Sequence, residues 1–520
     1  MGKTRENWGS RLAIIMAVAG SAVGLGNFLR FPAKAAVNGG GAFMIPYLVS
    51  LFLLGIPLMW IEWTLGRYGG GFGHGTAPGI FHSVWRKSRF IKYFGVIGIF
   101  GPLVIFIYYT FIESWTLAYS FFALTGSYSG LADQAGMASF LRGFQGVEHN
   151  AFFHGLGPAY TAFLITFVLN IAVIYFGIKG GIARLCNWAM PLLFICGTIL
   201  LVRVLTLGAP ANPDWSVAKG FGFLWNPNFA ALKNAHVWLE AAGQIFFTLS
   251  VGIGVILTYA SYLTKADDVV LSGLTSTATN ELAEVIIGGS IVIPAAFVFL
   301  GPLAMDSVAR SGTFNLGFVT MPLVLLQLPL AALLGFVWFL LLFLAGITSS
   351  VSLAQPAVAF LEDEFDITRK KAVGIFAVVT FFLCQPAIFF LKNGVVDELD
   401  FWGGTFFLVV FATIEVLLFA WVFGMEDAWD EIHHGADLRV PRIYKFIIKY
   451  ITPPFLFAIL GTWLWQEWLP IIRMDTVAAA DRPYILATRA GLILLFATLA
   501  VLVGLAWRRK RLAAQEEQTP

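Results

Sequence analysis

A chain of 520 residues that is 58% hydrophobic and 12% charged, with a mean hydropathy of +0.80, lies outside the range of soluble globular domains. Its formal net charge of +3 singles out no nucleic acid or other partner, and Cys186, Cys196 and Cys384 are spaced for neither a disulfide framework nor a metal site. What remains is an all-α polytopic membrane protein.

In chain order, apolar runs near the roughly 20 residues that a bilayer core demands occur at about 11–29, 41–65, 92–124, 157–178, 187–207, 237–262, 270–300, 328–361, 371–391, 401–424, 445–470 and 485–507. These are about twelve spans, so both termini share one side. Basic residues assign that side to the cytoplasm: Lys3, Arg5 and Arg11, then Arg86, Lys87 and Arg89, then Arg508 to Arg511. The first run has no small-residue cleavage signature and reads as a retained span. The longest stretches between spans, about 125–156, 208–236, 301–327 and 425–444, are loops, the first three outside and the last a charged amphipathic linker on the cytoplasmic side. The seven histidines scatter through loops, which argues against a metal site. No Walker loop, catalytic triad or zinc motif is present, so an enzyme or a nucleotide-driven pump has no support and an ion gradient is the expected energy source.

Two spans carry glycine-rich polar interruptions, Gly20 to Asn27 in the first and Thr248 to Gly254 in the sixth. Unwound backbone in hydrocarbon leaves polar groups unpaired unless it lines a cavity and holds a ligand. Each cluster alone also fits close helix packing of the small-xxx-small kind. Both together, at corresponding positions of a five-plus-five inverted repeat, favour a binding site. Helix halves there present N–H groups suited to a carboxylate and carbonyls suited to a cation, so a zwitterion with sodium satisfies both. In the eighth span Ala345, Thr348, Ser349 and Ser352 form one hydroxyl-bearing stripe, and in the seventh Thr277, Asn280 and Glu284 share a face. Gln244 is the candidate partner of Glu284. Glu62, Glu113, Glu240 and Glu415 read as structural hydrogen-bonding groups.

The run from Asn7 to Leu12, that from Ala19 to Pro32, that from Asn38 to Tyr47, Gln244 to Ser250, Ala345 to Ser350, Phe360 to Asp363 and Asp400 to Trp402 together resemble the neurotransmitter:sodium symporters, especially their bacterial amino acid members. The resemblance implies a LeuT fold with broken helices 1 and 6. Residues 1–424 would be a transport core of ten helices, in inverted repeats at about 11–207 and 237–424. Residues 425–520 would hold the cytoplasmic linker, two peripheral helices and a C-terminal tail.

It further implies two sodium sites and no organic cofactor. One site would use Ala22, Asn27, Thr248 and Asn280 with the substrate's carboxylate; the other would use oxygens of Gly20, Val23 and Ala345 with the hydroxyls of Thr348 and Ser349. The substrate's headgroup would meet Ser21, Ala22, Leu25, Gly26, Tyr109, Phe247, Thr248 and Ser250. Its side chain would lie among Ile105, Tyr109, Phe247, Ile253, Ser349 and Leu353, with Tyr109 and Phe247 as an inner lid. Arg30 with Asp400, and Arg5 with Asp363 near Trp8, Tyr262 and Gln355, would be the two gates.

Bacterial members of this kind carry Asn, Val, Phe and Ile where this chain has Ser21, Ile105, Ile253 and Leu353, which reshapes the pocket. The implied activity is sodium-coupled symport of hydrophobic L-amino acids, leucine, methionine or alanine first. Aromatic substrates or a transport-inactive amino acid sensor are the alternatives. Glu284 would replace a bound chloride and so make uptake chloride-independent, and proton exchange at Glu284 stays open. The expected setting is a bacterial-type plasma membrane, multi-pass, with the amino acid, sodium ions and lipid as partners, no nucleic acid, and a homodimer left open.

Overall fold

The computed structural model describes residues 6–310 and 312–516, with side chains described for all of these except 231, 302–309 and 511–516. The expected gate residue Arg5 lies outside them. Among the described residues, ten helices are long and apolar enough to cross a bilayer, and a bent pair supplies an eleventh span. The pair is α1 (Arg11–Ala22) and α2 (Leu25–Val37), which meet at 46°. Then come α3 (Gly41–Gly70), α4 (Ile91–Thr125), α5 (Gly157–Tyr175) and α6 (Ile178–Leu205). The expected span at 237–262 is split into α7 (Ala235–Thr248) and α8 (Val255–Ala260), too short to count as one helix. The remainder are α9 (Val269–Gly301), α10 (Ala331–Phe365), α11 (Arg369–Phe389), α12 (Val395–His433), α13 (Ile443–Arg473) and α14 (Arg482–Lys510).

The loops are more ordered than their composition implies. The stretch at 125–156 holds a helix over Gln134–Phe144, capped by the Asp133 carboxylate, which accepts from Gly136 N–H at 2.7 Å. The linker after residue 424 begins as the continuation of α12, and its Glu431 is buried against Arg67, whose side chain is fully enclosed. The three cysteines are free and buried, as packing residues should be.

The first break is narrower than its glycine cluster, because helix persists through Gly20, Ser21 and Ala22 and stops only at Val23 and Gly24. The second runs from Leu249 to Gly254, with φ positive at Ser250, Gly252 and Gly254. Gly254 has two reasons to be glycine: its φ of +92°, and a Cβ there would stand 2.4 Å from Gly98 O on α4. The freed backbone is satisfied from α3, where buried Glu62 Oε1 accepts from Gly252 N–H at 2.5 Å. That assigns Glu62 to holding the break open.

Candidate binding site at the helix breaks

The amide of Asn27 stitches the two broken helices together. Its Oδ1 accepts from Gly24 N–H at 2.8 Å, capping α2, and its Nδ2 lies 3.1 Å from Thr248 Oγ1, 2.8 Å from Asn280 Oδ1 and 3.2 Å from Glu284 Oε2. Asn280 Oδ1 also lies 3.1 Å from Thr248 O and 3.3 Å from Ala22 O. Turning the Asn280 amide over would let its nitrogen donate to both carbonyls, but would set it 2.8 Å from Asn27 Nδ2, donor against donor. In the orientation that keeps the Asn27 bond, Asn280 Oδ1 and the carbonyl oxygens of Ala22 and Thr248 converge with no hydrogen between them. Such a cluster of oxygens repels itself unless a hard cation sits among them. Behind it, Glu284 is completely buried, and Gln244 Nε2 donates to its Oε1 at 2.7 Å, the partner expected. Sequence reasoning missed a second acid here: Glu281, one position beyond Asn280, accepts from the Tyr47 hydroxyl at 2.9 Å.

Beside this cluster, the Tyr109 hydroxyl accepts from Leu25 N–H at 3.0 Å. Ser349 Oγ donates to Gly20 O and Ser21 O, at 3.2 and 3.1 Å, and Ser250 Oγ donates to Ser21 O at 3.0 Å. The Phe247 ring presses on the backbone of α2, where a Cβ at Gly26 would stand 2.5 Å from it. Ile105, Ile253 and Leu353 are buried to within 4–6% of complete. The structure thus brings Ser21, Leu25, Gly26, Tyr109, Phe247, Ser250 and Ser349 around the breaks.

Thr348 behaves as an ordinary helix hydroxyl, donating to Leu344 O and Ala345 O at 3.0 and 3.2 Å. Its hydroxyl makes no hydrogen bond to α1, although its Cβ packs against Gly20, so the hydrogen-bonded link between α1 and α10 runs through Ser349. Glu113 holds two bonds from Asn170, the structural role expected of it. Glu240 pairs with Lys34, and buried Glu415 lies within hydrogen-bonding reach of Glu62, the two carboxyl groups facing each other.

The expected pairing of Arg30 with Asp400 is not made. The Arg30 guanidinium lies over the Phe247 ring, 4.3 Å from its centre, and Asp400 Oδ1 accepts from the Tyr108 hydroxyl at 2.5 Å. A cavity of about 280 Å³ lies between them, lined by Leu29, Arg30, Tyr109, Phe247, Phe314 and Asp400. On the opposite face, Trp8 Nε1–H donates to Tyr259 O at 3.0 Å and Gln355 Nε2 to the Tyr262 hydroxyl at 3.1 Å. Arg369 Nη2 donates to Gln355 Oε1 at 2.9 Å, and Asp363 is also engaged.

Comparison with known proteins matches residues 5–137 and 132–471 to the model of the sodium:neurotransmitter symporter family. An uncharacterized sodium-dependent transporter of Methanocaldococcus jannaschii is 31% identical over 463 residues, covering 88% of this chain and 89% of that one. A sodium-dependent nutrient amino acid transporter of Drosophila persimilis is 27% identical over 508 residues, covering 88% of this chain and 74% of the relative. The crystal structure of MhsT in complex with L-phenylalanine superposes with a TM-score of 0.75 at 30% identity, covering 88% of this chain and 99% of MhsT.

Proposed function

Because the chain belongs to the sodium:neurotransmitter symporter family and is therefore a multi-pass, sodium-dependent membrane transporter, we propose that it carries hydrophobic L-amino acids into the cell together with sodium. The observation that carries this reading is the convergence of Asn280 Oδ1 with the carbonyls of Ala22 and Thr248, on both broken helices at once. A sodium ion among these oxygens would hold the two breaks in register. A substrate carboxylate set against the N–H groups that open α2 would add its charge to the same site, so each ligand raises the other's affinity. The second sodium site is assigned to Gly20, Val23, Ala345, Thr348 and Ser349, where the Ser349 hydroxyl bond to Gly20 O would give way to the ion.

Tyr109, Phe247, Ile105, Ile253 and Leu353 form the side-chain pocket in this reading. Its walls are apolar, and Ile253 is smaller than a phenyl ring, which suits leucine and methionine while leaving space for an aromatic side chain. The phenylalanine bound in MhsT supports the aromatic alternative. Glu284, fixed by Gln244 and Asn27, supplies a negative charge beside the sodium site and makes chloride unnecessary. The N-terminal face is assigned to the cytoplasm.

The test is uptake of labelled leucine and of labelled phenylalanine into proteoliposomes under an inward sodium gradient, with potassium controls and gluconate replacing chloride. Sodium-driven uptake of either, unchanged in gluconate and lost in Asn280→Ala, is expected. Uptake that needs chloride sinks the role of Glu284; no sodium-driven uptake of any hydrophobic amino acid sinks the symport reading.

A further inference from the structure

Starting in the first turn of α7, His236 and Glu240 share a helix face, and Glu467 of α13 stands across from them, Glu240 and Glu467 lining a cavity together with Arg30 and Asp400. The half-exposed imidazole lies between the two carboxylates, with Nε2 3.9 Å from Glu240 Oε1 and Nδ1 3.7 Å from Glu467 Oε1. One ligand atom from each of the three residues falls within 4.8 Å of the others. The Lys34 ammonium takes the second oxygen of Glu240, Oε2, and so leaves Oε1 facing the cluster. Glu467 Oε1 is buried and receives no hydrogen bond, which is a costly state for a carboxylate oxygen unless something charged comes to it.

We propose that His236, Glu240 and Glu467 bind a divalent transition metal ion of the Zn2+ type. One imidazole and two carboxylates with a water in the fourth position make a common three-ligand zinc set. Tetrahedral coordination at bonds of about 2.0–2.2 Å places ligand atoms roughly 3.4 Å apart, so the three groups, now within 4.8 Å of one another, close by up to about 1.4 Å through rotation of the exposed His236 ring and of the two carboxylates. Calcium and magnesium demand six or more oxygen ligands and are not served by an imidazole.

The site joins a helix that carries a break to one that does not. With metal bound, α7 is fastened to α13, and through the Lys34 to Glu240 pair so is α2, which bears Arg30. Bringing Arg30 to Asp400 then requires the clamp to release. Resting on the transport reading and on the Arg30 to Asp400 gate that the family resemblance implies, this makes the ion an inhibitor of turnover that leaves the central site intact.

Two measurements on the full chain test the proposal. Zn2+ binding to detergent-solubilised protein is titrated calorimetrically, with Ca2+ and Mg2+ as controls, in the parent and in His236→Ala and Glu467→Gln. One saturable Zn2+ site is expected, weakened at least about 10-fold in each variant and absent for Ca2+ and Mg2+. Equal Zn2+ binding by parent and variants, or none by the parent, overturns the site. In proteoliposomes, sodium-driven uptake by the parent should fall severalfold when Zn2+ is added on the Asp400 face, while both variants resist it and match the parent in EDTA. Binding as expected without inhibition overturns the clamp. Absence of uptake in EDTA would instead count against the transport reading, leaving the binding result to judge the metal site.

Discussion

Around Trp8 the protein is laced shut, whereas around Arg30 the corresponding groups stand apart. On the N-terminal face Trp8 is bonded to Tyr259, Gln355 to Tyr262 and Arg369 to Gln355, while Arg11 bridges Asp268 at 2.8 Å and Asp437 at 2.6 Å. On the other face Arg30 rests on an aromatic ring, Asp400 is held by a tyrosine, and a cavity separates them. With each net hydrogen bond contributing about 1 kcal/mol, opening the first face means breaking several bonds together, while closing the second means making one pair. The difference identifies the conformation as open toward Asp400; in the proposed transport cycle, alternation would have to weaken a network on one side by events at the breaks.

The sharpest way to break this contrast is Arg67→Ala. Its enclosed guanidinium donates to Asp267 O and His434 O, at 2.7 and 2.6 Å, and to Glu431 through both backbone and carboxylate. Removing it strands a buried carboxylate, at a cost of about 3–5 kcal/mol, seen as a large drop in the thermal midpoint in detergent. Arg30→Ala, which loses a stack worth about 0.5–1 kcal/mol, should barely move it. Equal losses would mean that the two faces are tied alike.

Next in size is Asp400→Asn. The amide oxygen still accepts from Tyr108, so the fold should keep its midpoint, but Arg30 loses its counter-charge. Uptake is expected to fall about 10-fold, equivalent to roughly 1.4 kcal/mol in the closing step, with equilibrium substrate binding preserved. Loss of binding in proportion to uptake would make Asp400 a ligand-site residue and no gate. Slightly smaller is Trp8→Phe, which deletes the bond to Tyr259 O. On a background with Cys196 and Cys384 replaced by alanine, buried Cys186, beside Gly20 on the closed side of the first break, should react about 5-fold faster with thiol reagents, as about 1 kcal/mol requires. An unchanged rate would show that the bond does not hold that face.

What the sequence disclosed follows from how local each signal is. Spans are visible because hydrocarbon imposes length and composition on contiguous residues, and both breaks are visible because glycine clusters interrupt them. The first was drawn too wide: Gly20 through Ala22 stay helical, packed against α6 and α10, and only Val23 and Gly24 depart. Gln244 could be matched to Glu284 because a buried acid needs an amide and few polar groups lie nearby. Glu62 bonding Gly252 N–H, Tyr47 bonding Glu281, and Glu467 meeting His236 join distant segments through no periodic pattern, so only the fold reveals them. Arg30 adds a further limit: the gate pairing that the resemblance implies would be made in one state and broken in another, and such a residue has no single partner for a sequence to encode. Helix α14 lies beyond the family match, which ends at residue 471, yet Arg489 on it bonds Glu398 of α12 at 2.5 Å.

The smallest effect belongs to the loop at 125–156, which carries none of the gating contrast. Glu148 accepts from Ser139 Oγ at 2.5 Å, from Arg142 Nε at 2.9 Å and from Asn150 Nδ2 at 3.3 Å. The hydrogen bond from Ser139, followed by that from Arg142, holds its carboxyl down at about 2. Because this lies below the ordinary glutamate value near 4.3, the stabilisation is complete above about pH 4.5 and is lost as pH falls toward 2. Glu148 is solvent-accessible, so Glu148→Gln should cost well under 1 kcal/mol. It should leave uptake and the thermal midpoint unchanged at pH 7 while about doubling the rate of proteolysis within the loop. That difference should shrink in pepsin digests as the pH is taken from 4.5 toward 2. If Glu148→Gln instead lowered uptake, the loop at 125–156 would be coupled to the Asp400 face, and the contrast between the two faces would have to include it.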